Sequence, residues 1–162
     1  MNLMSLQEVT RLAIASDPAT NTVTLGQLAY DEEAIVRIAV AQHSNTSPLH
    51  LSKLASDCDC SVVIAVAENP HTPGDILAIL ANEKRDLFTN DAADAYWLVM
   101  ASVAQNPNTP RVALNSFWRG EWEHGAIGRG RGDALHLDRI TFRQNIVTEM
   151  RCAFRANLQT TK

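Results

Sequence analysis

Ala67-Glu-Asn-Pro-His-Thr-Pro73 and Ala104-Gln-Asn-Pro-Asn-Thr-Pro110 are two copies of one heptapeptide. Two looser copies lie upstream, Ala15-Ser-Asp-Pro-Ala-Thr-Asn21 and Ala41-Gln-His-Ser-Asn-Thr-Ser47. Counted from each leading alanine, offset five is Thr20, Thr46, Thr72 and Thr109. Offset ten is Leu25, Leu51, Leu77 and Leu114; offset thirteen is Leu28, Leu54, Leu80 and Phe117; offset fourteen is Ala29, Ala55, Ala81 and Trp118. The first two steps are 26 residues each and the third is 37. Agreement at a fixed period is the mark of a repeat architecture.

Each repeated position has a mechanical reason. A residue before proline avoids the α region, so Asn-Pro ends a helix. Thr followed by Pro predicts an N-cap with proline in the first helical position at Thr72 and Thr109. Leu, Leu and Ala at offsets ten, thirteen and fourteen form one apolar stripe. After a polar break at Asp31-Glu32-Glu33 or Asp57-Cys58-Asp59, a second helix is predicted over 34–42 and 61–68, with small residues Ala39 and Ala65 for close packing. One such pair cannot bury its own apolar face, but stacked neighbours can. Residues 1–14 read as the second helix of a partial unit, Ser5-Leu-Gln-Glu8 being a capping box at its start.

The pattern Ala-x-Asn-Pro-x-Thr-Pro followed by Leu-x-x-Leu-Ala resembles the variant leucine-rich repeat family of bacterial, HEAT-like α-solenoids over roughly residues 9–118. The resemblance implies a right-handed solenoid in which an α-helix alternates with a shorter helix. The expected fold is thus all-α, a right-handed α-solenoid of about four two-helix repeats with a C-terminal capping helix. Units start at 15, 41, 67 and 104, after the partial unit 1–14. The longer period and the 11 extra residues within 82–95 depart from the family pattern; an insertion there reads either as a binding loop or as a lengthened helix. At least one family member holds an iron–sulfur cluster on N-terminal cysteines. Residues 1–14 contain no cysteine, so no cofactor is carried over.

Beyond Trp118 the repeat stops. Residues 119–138 hold five of the seven glycines and read as a long loop. Residues 139–158 read as a last helix, with Phe142, Ile146, Met150, Phe154 and Leu158 on one side, covering the end of the stack; 139–162 belongs to the same domain.

Composition narrows the function. The chain has 162 residues, 46% hydrophobic and 20% charged, with 6% aromatic, so its core must come from Ala, Leu, Val and Ile. No apolar run approaches the roughly 20 residues of a membrane span. Residues 1–8 show no secretory pattern, and three cysteines, Cys58, Cys60 and Cys152, cannot all pair; both point to a reducing cytoplasm. Residues 1–118 carry 6 Lys+Arg against 13 Asp+Glu, and 119–162 carry 8 against 5. No nucleophile with a histidine partner and no carboxylate pair on one helix face stands out, so catalytic residues and metal ligands are both expected to be none. Cys58-Asp-Cys60 lacks the second ligand pair that zinc requires and reads as turn residues.

The expected function is a non-enzymatic scaffold that binds another protein. Trp118 and Trp122 are candidate contact residues because tryptophan is favoured at interfaces, although Trp118 also suits a plug for the last repeat. Arg129 and Arg131 in Gly128-Arg-Gly-Arg-Gly132, with Arg143, Arg151 and Arg155 on the last helix, are candidates for an acidic partner. They also carry the alternative, nucleic-acid binding through the basic C-terminal segment. A homodimer made by exchanging the last helix is a third arrangement.

Overall fold

The computed structural model describes residues 6–82 and 92–113, together with Thr148, Cys152 and Ala156. Every regular element among them is helical. The order is α1 (Leu6–Ser16), α2 (Thr22–Leu28), α3 (Ala34–Gln42), α4 (Pro48–Ala55), α5 (Cys60–Glu68), α6 (Gly74–Asn82) and α7 (Ala92–Gln105). A further helix opens at residues 111–113.

The odd-numbered helices form one row, α1 on α3, α3 on α5, α5 on α7, and the short even-numbered helices lie beside them. The core follows the period of the sequence. Leu25, Leu51 and Leu77 at offset ten are fully buried, as are Val40, Val66 and Val103, each one residue before a leading alanine on the long helices. Burying each such side chain stabilises by about 1.5–3 kcal/mol. The leading alanines Ala15, Ala41, Ala67 and Ala104 are buried too. Helix α5 lies between α3 and α7, and its Val62, Val63, Ala65, Val66 and Ala67 are all buried. That explains why its apolar residues occupy more than one side.

The repeated heptapeptide is a hydrogen-bonded turn. The N–H of the repeated threonine donates to the carbonyl three residues back, as in Thr72 to Asn69 (3.0 Å) and Thr109 to Asn106 (3.1 Å). The offset-two side chain closes the same turn by accepting the N–H at offset four: Ala19 to Asp17, Asn45 to His43, His71 to Asn69 and Asn108 to Asn106, at 2.8–3.0 Å. Asn or Asp in the first turn position and Pro in the second are the residues such a turn favours.

The threonines are not N-caps. The residue one step later takes that place: Asn21 and Ser47 are the N-caps of α2 and α4, and the Pro73 carbonyl accepts the first turn's bond from Leu77. Each threonine hydroxyl points backwards, donating to Ile14, Val40, Val66 or Val103 at 2.5–2.6 Å. The cause lies in the preceding helix. Its carbonyl at that level would bond to the N–H four residues on, which is Pro18, Pro70 or Pro107 in three copies and has no hydrogen to give. The buried threonine supplies the donor instead.

Successive turns are also tied to one another. Asn69 Nδ2 donates to the carbonyls of Ala41 (2.6 Å) and His43 (3.3 Å). Asn106 Nδ2 donates to those of Ala67 (2.7 Å) and Asn69 (2.9 Å). His43 Nε2 lies 2.9 Å from the Asp17 carbonyl, and its Nδ1 accepts from Asn45, so Nε2 carries the proton. The 11 extra residues leave this ladder unbroken. Part of them lengthens the long helix, since α7 has 14 residues where α3 and α5 have 9.

Candidate docking face

Opposite the ladder, the α2–α3 and α4–α5 turns are acidic and pinned by arginine. Arg37 Nε and Nη2 reach the two oxygens of Asp57 at 2.8 and 3.0 Å, and Nη1 reaches the carbonyls of Asp31 and Glu32. One repeat earlier Arg11 Nε lies 2.7 Å from Asp31 Oδ2. Both pairs are 20 residues apart and shifted by the 26-residue period. The clamp ends there, because the next equivalent of the arginine is the buried Val63. Burial pushes the Asp57 carboxyl up, but the Arg37 guanidinium and the Asp59 N–H together hold it below the usual range. The repulsion of Glu8 pushes the Glu33 carboxyl above the usual range, and burial, Glu32 and a Glu8 hydrogen bond add to it.

The outer face of the short helices differs from this edge. At offset eight Val23 is 73% exposed, Leu49 76% and Val112 81%, and one turn further along α6 Ile79 is 53% exposed. Offsets eight and ten differ by about 200° on a helix, so this row points away from the buried leucines. Tyr30, also exposed, flanks an open groove of about 520 Å³ that Val23, Gly26 and His50 line as well. Gly26 makes the groove's floor, since a Cβ there would lie 2.7 Å from His50 Nε2. The Ser47 hydroxyl fixes the ring at 2.8 Å from Nδ1. Lys53 Nζ stands 5.5 Å from the centre of the Tyr30 ring. A row of exposed aliphatic side chains on hydrogen-bonded supports can dock an apolar surface.

Trp118, Trp122, Arg129, Arg131, Arg143, Arg151 and Arg155 fall outside the described residues, as do the loop 119–138 and most of the last helix. Thr148, Cys152 and Ala156 are helical and exposed. Cys58 is an exposed turn residue and Cys60 begins α5; with Cys152 they are free thiols. Among the described residues no group of three or more His, Cys, Asp or Glu side chains could hold a metal ion. Nor is any described helix long and apolar enough to cross a membrane.

Sequence reasoning missed Val23, Leu49, Ile79 and Val112. The signal was present at offset eight, where three of four copies carry Val or Leu on the side opposite the core stripe. No family model, curated protein or solved structure matches the chain.

Proposed function

We propose that the chain is a non-enzymatic helical-repeat scaffold that binds another protein through the outer face of its short helices. In this reading it is a right-handed α-solenoid of the variant leucine-rich, HEAT-like kind, built of about four two-helix repeats. A capping helix within 139–162 closes the far end. The observation that carries the proposal is the row of Val23, Leu49, Ile79 and Val112, exposed on a face whose backing is tied turn to turn. An array of this kind presents a long surface rather than a deep pocket. Three free thiols suit work in a reducing cytoplasm.

The test is a pull-down from the native cell with the wild type and with a Val23→Asp/Leu49→Asp variant. Both residues are exposed, so the variant is expected to keep its helical circular dichroism and its urea midpoint. A partner captured by the wild type should be lost from the variant; unchanged capture would refute this face.

Nucleic-acid binding is the rival reading. It rests on the 8 Lys+Arg against 5 Asp+Glu in residues 119–162. Against it, residues 1–118 carry 13 Asp+Glu and 6 Lys+Arg, and a phosphate backbone is repelled by such a body. A salt titration with single- and double-stranded probes decides: affinity that falls steeply with salt would displace the scaffold reading.

A further inference from the structure

We infer that the stack has a hinge at the α3–α5 interface, so that α1–α4 and α5–α7 are two blocks that rock against one another. The ties between successive heptapeptide turns are unequal. Between the first turn (15–21) and the second (41–47), two side chains cross. His43 Nε2 meets the Asp17 carbonyl, and Asn45 Nδ2, at offset four, donates to the carbonyls of Pro18 and Thr20 at 3.3 Å. Between the third (67–73) and the fourth (104–110), two cross again. Asn106 Nδ2 donates to Ala67 and Asn69, and the offset-four Asn108 Nδ2 donates to Pro70 (2.7 Å) and Thr72 (3.1 Å). Gly74 lets these last two turns meet closely, since a Cβ there would lie 2.8 Å from the Asn108 main-chain oxygen.

Between the second and third turns, among the described residues, only the Asn69 side chain crosses, to the carbonyls of Ala41 and His43. Offset four is His71 here, and its ring is exposed. By the repeat, an amide at this position would reach the carbonyls of Ser44 and Thr46. A neutral imidazole has one N–H where an amide has two, so it cannot bridge that pair. The other edge of the same interface is pinned. Arg37 on α3 grips both oxygens of Asp57, in the turn that enters α5, at 2.8 and 3.0 Å. The α5–α7 interface is built the other way round, with both amides in place and the buried Val63 where the arginine would stand. An interface pinned along one edge and tied by one side chain along the other opens about the pinned edge.

Hydrogen exchange of two side-chain amides in the full chain, followed by NMR, tests the inference. Asn69 and Asn106 are both buried, and the Nδ2 protons of each cross one interface. Such protons exchange with solvent when their own interface opens. In the wild type the Asn69 amide should exchange about ten-fold faster than that of Asn106, the effect of two hydrogen bonds fewer. His71→Asn should install the missing tie and slow Asn69 to the Asn106 rate. Asn108→His should do the reverse and raise Asn106 to the Asn69 rate. Both substituted residues are exposed, so circular dichroism should be unchanged. Equal rates in the wild type would overturn the inference. So would an Asn69 rate indifferent to His71→Asn, or an Asn106 rate indifferent to Asn108→His. The measurement needs no partner, so its outcome is independent of the pull-down.

Discussion

The side-chain amide of Asn106 donates to the main-chain carbonyl of Ala67 at 2.7 Å, across 39 residues of chain. Asn69 makes the same bond to Ala41 at 2.6 Å, across 28. The difference is the length of the insertion, so the turns keep their stacking whatever is spliced between them.

Replacing Asn106 tests how much the ladder contributes. The residue is 3% exposed, and Asn106→Ala leaves the Ala67 carbonyl and the Asn108 N–H without this partner, while the Asn69 carbonyl keeps the Thr72 N–H. Each buried polar group so orphaned costs about 1–3 kcal/mol, so a loss of about 3 kcal/mol is expected. Asn106→Asp keeps the acceptor for Asn108 but aims an ionised oxygen at two carbonyls, and should be at least as unstable at neutral pH. Urea denaturation at constant m-value measures both. An Asp variant as stable as the wild type would contradict the donor role.

The threonine hydroxyl makes a separate prediction. Thr72 is fully buried, and its Oγ1 supplies the Val66 carbonyl with the donor that Pro70 cannot. Thr72→Val keeps the shape and orphans the carbonyl, at about 1–3 kcal/mol. Thr72→Ser keeps the hydrogen bond and loses a methyl, at about 1 kcal/mol. The expected order of urea midpoints is wild type, serine, valine. Valine above serine would mean that packing, not the hydroxyl, fixes this position.

Much of this was legible because the same constraint is written several times. Leu at offset ten and Ala at fourteen could be assigned to the core from period alone, and the long helices 34–42 and 60–68 were placed to within one residue. Threonine was misassigned because Thr-Pro is also a helix-start signal. The missing N–H of the proline two residues earlier tells the two roles apart in three copies; Thr46, which follows Ser44, makes the same backward bond. The Arg11–Asp31 and Arg37–Asp57 clamps share the period but need a third dimension to bring positions 20 residues apart together. The exposed aliphatic row was hidden by its composition, since exposed Val and Leu look like core until their angle from offset ten is measured.

Two glycines allow close approaches of unequal stiffness. A Cβ on Gly74 would lie 2.8 Å from the Asn108 main-chain oxygen, and the turn that holds it is fixed by Asn108 Nδ2 on the Pro70 carbonyl. Gly74→Ala must separate two turns and should cost about 1–3 kcal/mol. A Cβ on Gly26 would meet the His50 ring, which can rotate once it leaves Ser47. The helical preference for alanine offsets that loss by about 0.5–1 kcal/mol. Gly26→Ala should therefore be near neutral in urea while shifting the His50 ring resonances, and Gly74→Ala should do the reverse.

The Arg37–Asp57 clamp sets a pH dependence whose sign one substitution reverses. In the wild type the Asp57 carboxyl lies below its unfolded value despite burial. Its contribution is complete above the unfolded pKa, about 3.9, and is lost as pH falls through the lower folded value. Arg37→Met removes the guanidinium and leaves burial to push the carboxyl above its unfolded value. That group then destabilises the fold at neutral pH, and the penalty shrinks as pH falls through the raised pKa. Breaking a buried pair costs about 3–5 kcal/mol, and the Arg37 side chain is 12% exposed, so about 3 kcal/mol is expected at pH 7. Urea midpoints from pH 7 down to pH 4 should fall or hold for the wild type and rise for Arg37→Met. Adding Asp57→Asn, which keeps the acceptor for the Asp59 N–H but cannot ionise, should abolish that rise. Parallel curves for the wild type and Arg37→Met would show that Asp57 does not depend on Arg37 for its charge.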